Sequence, residues 1–214
     1  WRAQVIAAER LFSNGAIPEN QILGIYTNNN PGGSGGMWER VKVISDLDSA
    51  IQNKQNIEKY FLAAWKVFKK TDQLTVFAKL FGLRIFEKNL SPKSKKIAAD
   101  LLLLTNNFRL TKNYWKQSDI RFGLTTGDFT QVKVSSEIEK IILDVFTDVN
   151  IPFLVEQKLN QGKLGEVILN ALLQFETGIE GNLKDFSESL STLNLIGLDT
   201  TARRAALTHL VLGK

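Results

Sequence analysis

The fold is decided by residues 57–86, which read IEKYFLAAWKVFKKTDQLTVFAKLFGLRIF. Large apolar side chains recur three or four residues apart in each half of this stretch, which is the spacing of one face of an α-helix. The first face contains Ile57, Tyr60, Phe61, Ala64, Trp65 and Phe68, and the second contains Leu74, Phe77, Ala78, Phe81 and Ile85. Because the connection between the two faces is short, the stretch predicts an antiparallel helix hairpin.

The same spacing recurs on both sides of this hairpin, so helices are predicted for most of the chain. The apolar residues with this helical spacing form four further groups: Met37, Trp38, Val41, Ile44, Leu47 and Ile51; Ile138, Ile141, Ile142, Val145 and Phe146; Leu164, Val167, Ile168, Ala171, Leu172 and Phe175; and Leu183, Phe186, Leu190 and Leu193. The alternation typical of a β-strand is confined to one short candidate, residues 130–134. We therefore predict an all-α fold of about ten helices of ordinary length.

Helix boundaries are indicated by capping residues and glycines. Ser91-Pro92 places a capping hydroxyl before a first-turn proline, and residues 135–139 (Ser-Ser-Glu-Ile-Glu) suit a capped start with acidic side chains in the first turn. Asp199-Thr200-Thr201 predicts a third cap. Helix ends are predicted at Gly162, Gly178, Gly181 and Gly197.

The predicted architecture is an irregular α-solenoid or superhelix of antiparallel helix hairpins, with a closed helical bundle as the alternative. In the last hairpin, Ile196-Gly197-Leu198 forms the turn, and alanines on the returning helix allow close approach, as in tetratricopeptide-type hairpins. A strict 34-residue repeat is absent. We predict one domain, 1–214, with a mobile glycine-rich loop at 28–36 and an irregular segment at 107–134, where Gly123 and Gly127 interrupt the pattern.

Composition excludes several kinds of chemistry. The chain has no cysteine and one histidine, His209, so thiolate sites, disulfides and multi-histidine metal sites cannot form. The glycine loop does not match a phosphate-binding loop, because Met37-Trp38 stands where that loop needs lysine and a hydroxyl. No apolar run approaches the roughly 20 residues of a membrane span. We predict no cofactor and no metal, and we interpret a chain that begins at Trp1 as a fragment or a mature form.

Two clusters are candidates for binding. The net charge is +5, and lysines with interleaved aromatics form a candidate anion-binding surface for nucleic acid or a membrane surface: Lys66, Lys69, Lys70, Lys93, Lys95 and Lys96. The aromatics there fall on the apolar helix faces, so a solvated lysine face is the main interpretation. In the irregular segment, side chains of the types that anchor protein interfaces are candidates for partner binding: Arg109, Lys112, Tyr114, Trp115 and Arg121. The alternative is that Trp115 packs the segment onto the helices.

Short pieces of the chain carry a resemblance. Residues 35–40 (Gly-Gly-Met-Trp-Glu-Arg), 47–50, 195–199 and 202–204 resemble helical-repeat proteins of the alphaproteobacterial cell envelope, which are richer in alanine. The resemblance implies an all-helical protein of the envelope or periplasm and implies no activity. Glu188-Ser189 also resembles the catalytic pair of lytic transglycosylases, but the rest of that pattern is missing.

Three functions are considered in this order. The first is a non-catalytic helical-repeat scaffold that binds a protein or peptide partner, because helical repetition occurs without a catalytic constellation. The second is an accessory domain or an enzyme that uses carboxylates on a cell-envelope polymer. The third is an anion-binding module that uses the lysines between residues 66 and 96.

Overall fold

The protein is described by a computed structural model that covers residues 1–28, 36–148 and 152–213. These residues form twelve α-helices and one short 3₁₀-helix (Phe108–Thr111) and contain no strand, so the all-α prediction is confirmed. The helices are α1 (Arg2–Ser13), α2 (Glu19–Asn28), α3 (Gly36–Gln52), α4 (Glu58–Lys70), α5 (Leu74–Phe86), α6 (Pro92–Leu103), α7 (Ile120–Thr126), α8 (Glu137–Thr147), α9 (Phe153–Asn160), α10 (Leu164–Ile179), α11 (Leu183–Leu195) and α12 (Asp199–Leu212). They group into two compact units, Trp1–Thr105 and Asn106–Lys214.

In the first unit, each helix from α1 to α6 packs against the next helix in the chain, and α1 also packs against α5. The stretch 57–86 forms the predicted hairpin of α4 and α5. Its apolar faces meet in a cluster of buried phenylalanines, in which the ring centroids of Phe68 and Phe77 lie 5.2 Å apart and those of Phe77 and Phe81 lie 5.8 Å apart. These offset aromatic contacts add to the free energy of area burial alone.

A buried ion pair connects the first three helices. Glu9 on α1 is only 4% exposed, and it accepts hydrogen bonds from Arg40 on α3, with Nε at 2.9 Å from Oε1 and Nη2 at 3.0 Å from Oε2. The hydroxyl of Tyr26 on α2 donates to the same carboxylate at 2.7 Å. Burial, followed by the charge of Glu9, raises the pKa of Tyr26, so the tyrosine remains a donor. The bidentate geometry and the third donor compensate two charges that are removed from water.

Polar contacts hold the start of α6 against α4. Ser91 caps α6 as predicted, since its hydroxyl accepts from the backbone N–H of Ser94 and Pro92 follows it. The carboxylate of Glu58 accepts hydrogen bonds from the hydroxyls of Ser91 and Ser94, the latter at 2.5 Å. These hydrogen bonds lower the pKa of Glu58. The carboxylate therefore links the first turns of the two helices.

The second unit is built around the hairpin of α10 and α11. These helices cross most closely at Gly178, where an added Cβ atom would lie 2.6 Å from both the backbone nitrogen and the Cα atom of Phe186. Around this pair, α8 packs on α11, α7 packs on α12, and α9 packs on α10. The first two α-helices of the unit, α7 and α8, therefore pack on its last two, with α7 on α12 and α8 on α11. Phe186 is buried at the centre, 6.0 Å from the ring of Phe175 and 4.5 Å from that of His209.

Several predictions of local structure were wrong, but α10 does end at Ile179, one residue after the predicted end at Gly178. The missing side chain of Gly178 also permits the close crossing with α11. The helix at Asp199 begins with that residue, which pairs with Arg203 on the next turn, so the aspartate is not a cap. The irregular segment contains the 3₁₀-helix and α7, and residues 130–134 form no strand.

The remaining predictions concern one loop, one turn, one helix cap and the overall architecture, and only some of them are tested by the structure. The predicted loop 28–36 lies outside the described residues apart from its two end residues, which belong to α2 and α3. The turn 196–198 between α11 and α12 and the Ser136 cap of α8 are confirmed. The single domain and the stacking of hairpins into a solenoid stay predictions.

Candidate functional site

The predicted partner cluster surrounds a buried tryptophan. Trp115 is buried, and its indole N–H donates to the Thr111 hydroxyl at 2.9 Å. The guanidinium of Arg121 lies 5.3 Å from the Trp115 ring centroid and pairs with Asp119 at 3.4 Å. The ring of Tyr114 meets Trp115 edge-on at 4.9 Å. These contacts favour the alternative in which Trp115 packs the segment onto its own unit.

Two further residues of that cluster face solvent. Arg109 is exposed and donates to the Thr200 hydroxyl at 2.9 Å, and Lys112 is exposed on the turn after the 3₁₀-helix. The neighbouring Leu110 is also exposed. The cluster therefore offers a small mixed surface, and its role in partner binding stays a prediction.

The lysines of the candidate anion surface lie on two different helices. Lys66, Lys69 and Lys70 are exposed near the end of α4, where cations interact favourably with the helix dipole. Lys93 and Lys96 are exposed on α6. Lys95 differs, because its ammonium group donates to the carbonyl oxygens of Phe86 and Lys88 at the end of α5 and lies 4.4 Å from the Phe86 ring centroid. The sequence pattern did not reveal this capping role.

An apolar surface that the sequence reasoning missed lies on α9 and α10 of the second unit. We call it the α9–α10 surface and define it by its exposed large apolar residues: Phe153, Leu154, Leu164, Leu169, Leu172 and Leu173. Phe153 is 75% exposed and Leu154 is 66% exposed, and α9 contributes no buried residue at all. On α10, Val167, Ala171 and Gly178 are buried, and the leucines lie off that stripe. Leu164 and Leu172 were predicted to be buried with them and are about half exposed.

A groove borders this surface between α9, α10 and α11. It has a volume of about 530 Å³, and its apolar lining includes Phe153, Leu154, Val155, Val167 and Leu173. Its polar lining is Lys158, Asn170, Gln174, Lys184, Glu188 and Thr192. Gln174 donates to Glu188 at 2.9 Å, while the hydroxyl oxygen of Thr192 is buried with no hydrogen-bond partner among the described residues. The groove therefore combines an apolar wall with a polar wall.

The Glu188-Ser189 pair does not form a reactive constellation. The hydroxyl of Ser189 is buried and donates to the backbone carbonyl of Phe186 at 2.8 Å. Glu188 is bound by Gln174 and lies 3.7 Å from Lys184. Within the described ranges, no group of three or more histidine, aspartate or glutamate side chains is placed to hold a metal ion. Nor does any helix in the described part of the chain have the length and apolarity needed to cross a membrane.

His209 provides a test of the core around Phe186. Its Nδ1 atom is buried without a hydrogen-bond partner in the described part of the chain, and burial lowers its pKa below the usual 6.5. The unfolded chain therefore takes up this proton first as the pH falls. We expect the stability of the second unit to be greatest above about pH 6.5 and to decline as the pH drops through that value toward the folded-state pKa.

Three of the four tryptophans lie in the first unit, so the background for this test carries Trp1→Phe, Trp38→Phe and Trp65→Phe. Urea unfolding followed by Trp115 fluorescence between pH 5 and 8 then measures the dependence, and His209 is the only histidine in the sequence. His209→Phe keeps a ring against Phe186 and removes the titrating group, so its stability should vary less over this range. An equal pH dependence in His209→Phe and the unchanged protein would show that His209 is not the cause.

Comparisons with known proteins do not assign this chain to a protein family. No protein-family model, curated protein or solved structure matches the chain. The helices define its structural class, which is all-α. Because a fold does not determine function, the evidence for function comes from the exposed surfaces.

Proposed function

We propose that this chain is a non-catalytic helical scaffold that binds a protein partner through the α9–α10 surface. The observation that carries the proposal is the group of six large apolar side chains exposed together on two adjacent helices. Groups of exposed large apolar side chains often mark sites of interaction with proteins or membranes. On α10, four leucines are exposed beside the buried stripe of Val167 and Ala171, so the apolar part of this helix is wider than the part that the chain itself covers. The partner supplies the cover for its outer face.

The free energy available from burying this apolar surface is modest. Fully burying a leucine or phenylalanine side chain contributes about 1.5–3 kcal/mol, so six roughly half-exposed side chains supply on the order of 5–10 kcal/mol. The loss of translational and rotational freedom on association costs a comparable amount. Apolar burial alone therefore supports weak binding, and polar contacts at the edge of the surface add to the affinity.

The test exchanges leucines for aspartates. Leu169→Asp with Leu173→Asp places two charges in the surface at positions that are 57% and 54% exposed, so the fold should be unaffected. We expect capture of a protein partner from lysate of the source to fall at least about tenfold, because each buried charge opposes binding. Capture by the unchanged protein should survive high salt, since apolar burial is not screened.

Leu110→Asp is the matched control. Leu110 is 56% exposed in the same unit but lies in the segment around Trp115, outside the α9–α10 surface. Capture should be unchanged in this variant. Loss of capture with Leu110→Asp and not with the double variant would contradict the proposal and would favour the cluster around Trp115. The polymer-directed and anion-binding alternatives stay predictions, with no contact in the described residues that favours either.

A further inference from the structure

The outer face of α10 is an apolar stripe that ends in glutamates. Leu169, Leu172 and Leu173 are 57%, 50% and 54% exposed, and their spacing of three and four residues places them on one side of the helix. Glu176 and Glu180 follow at i+7 and i+11 from Leu169, and both are exposed. The buried residues of α10 lie on the opposite side, toward the rest of the unit. The chain itself therefore leaves this stripe uncovered.

The two ends of α10 carry opposite net charge. At the start, Lys163 is exposed and has no ion pair among the described residues, whereas Glu166 is paired with Lys158 at 3.8 Å. At the other end, Glu176 and Glu180 have no ion pair within the described ranges. The local pair cancels, which leaves one positive charge at the start and two negative charges at the end.

These unpaired charges do not suit an isolated helix. The macrodipole is positive at the start of a helix and negative at its end, so a lysine at the start and glutamates at the end are both unfavourable. Lys163 is the N-cap residue of α10, and Glu180 is its C-cap residue. A neighbouring helix in the antiparallel orientation relieves both conflicts, because each end then meets an end of opposite charge.

A second copy of this chain supplies such a helix. A two-fold axis between Leu169 and Leu172 pairs these leucines across the interface and brings Lys163 of each copy to the last turn of α10 in the other. There Lys163 faces Glu176 and Glu180, so both ends form contacts of opposite charge. A parallel pair would instead bring the glutamates of the two copies together.

The apolar area also suits a second copy. The six side chains of the α9–α10 surface expose roughly 600–700 Å² together, so two copies offer roughly 1,200–1,400 Å², at the lower end of the range for specific interfaces. A second copy supplies an equal apolar group, so it gains about twice the apolar burial that a polar partner surface would provide. Interfaces between identical chains are accordingly more apolar than those of transient complexes.

We propose that two copies of this chain associate through the α9–α10 surface, with their α10 helices antiparallel and Lys163 of each opposite Glu176 and Glu180 of the other. This inference rests on the proposed function and names the partner as a second copy. The leucines of α10 lie at the centre of the interface, and the charges at its edges set the orientation.

Analytical ultracentrifugation of the full chain over a wide range of concentration measures the association. We expect an equilibrium between monomer and dimer. Leu169→Asp with Leu173→Asp should be a monomer throughout, because its dimer would bury four unpaired carboxylates. The matched control is Lys140→Glu, which changes an exposed lysine on α8, outside the surface, and it should associate like the unchanged protein.

Charge reversal tests the antiparallel orientation. Lys163→Glu alone, and Glu176→Lys with Glu180→Lys, should each weaken self-association at least about tenfold, because like charges then meet at both ends. An equimolar mixture of the two variants should associate about as strongly as the unchanged protein, since opposite charges meet again in the mixed dimer. Both changes suit the dipole of α10, so the helix should stay folded.

Three results would overturn the inference. They are a monomer at every concentration, a dimer that persists in the leucine variant, and a mixture that associates no more strongly than either charge variant alone. Failure of the inference is separable from failure of the proposed function. If the chain is a monomer and the leucine variant loses capture of a different protein, the α9–α10 surface stands and the second copy does not. If the chain is a monomer and capture is unchanged, both proposals fail.

Discussion

Glu9→Ala is expected to lower the free energy of unfolding of the first unit by about 3–5 kcal/mol, because it leaves the guanidinium of Arg40 buried without a counter-charge. The same change removes the acceptor of the buried Tyr26 hydroxyl. An arginine guanidinium keeps its charge at any working pH, so loss of a proton cannot relieve this cost. Most small domains have only 5–15 kcal/mol of stability, so the unit should be close to unfolding. Urea denaturation combined with amide hydrogen exchange of α1–α3 measures the loss.

An exposed ion pair on the same helix gives the control. Lys42 and Asp46 on α3 lie 2.9 Å apart, and both side chains are substantially exposed. Asp46→Ala should change stability by less than about 1 kcal/mol. Replacing Glu9 and Arg40 together by leucine and methionine should recover much of the loss, because no unpaired charge is then buried. A Glu9→Ala variant as stable as Asp46→Ala would show that the buried pair is not formed.

Gly178→Ala is expected to destabilise the second unit by about 2 kcal/mol, although alanine is the better helix former. The new methyl group would meet the backbone of Phe186 at 2.6 Å, and backbone atoms cannot move aside as the end of a flexible side chain can. The α10–α11 hairpin must therefore separate, and the contacts of Phe186 with Phe175 and His209 loosen with it. Urea unfolding followed by Trp115 fluorescence, with Trp1, Trp38 and Trp65 replaced by phenylalanine, measures the change.

The same substitution at Gly165 separates steric conflict from helix propensity. Gly165 also lies in α10, and no atom lies within 4 Å of the position its Cβ would occupy. Gly165→Ala should stabilise the unit by up to about 1 kcal/mol, since only propensity changes. A loss of stability in Gly178→Ala together with a gain in Gly165→Ala would support the close crossing of α10 and α11. Equal stabilisation by both would mean that α10 and α11 do not approach each other at Gly178.

Local features of the chain were predictable because their causes are local. The apolar spacing at residues 57–86 and the Ser91-Pro92 cap depend on neighbours within one or two turns, and both are confirmed. The features that were not predicted depend on distant partners. Gly178 does lie at the end of α10, but nothing in its sequence neighbourhood reveals that the backbone of Phe186 packs against it. The start of α7 was missed for a similar reason, since Gly123 lies within the helix and packs against the ring of Phe129.

The candidate surface could be predicted only in part. Periodicity identifies apolar faces but does not tell whether this chain or a partner covers them, so Leu164 and Leu172 were assigned to the core. Adjacent Leu172 and Leu173 were an available signal, because two neighbouring helical positions point about 100° apart and widen the apolar face. The buried pair of Glu9 and Arg40 joins residues 31 positions apart, and no short-range pattern connects them.

The reversed order of packing in the second unit has a consequence for synthesis on the ribosome. In the first unit, most helices find a partner in the helix made just before, so structure can accumulate as the chain lengthens. In the second unit, α8 packs on α11 and α7 packs on α12, and both of these partners are synthesised later. Although α7 also contacts the preceding 3₁₀-helix, the packing of both early helices is completed only after α11 and α12 have been made, so we expect this unit to fold later during translation than the first.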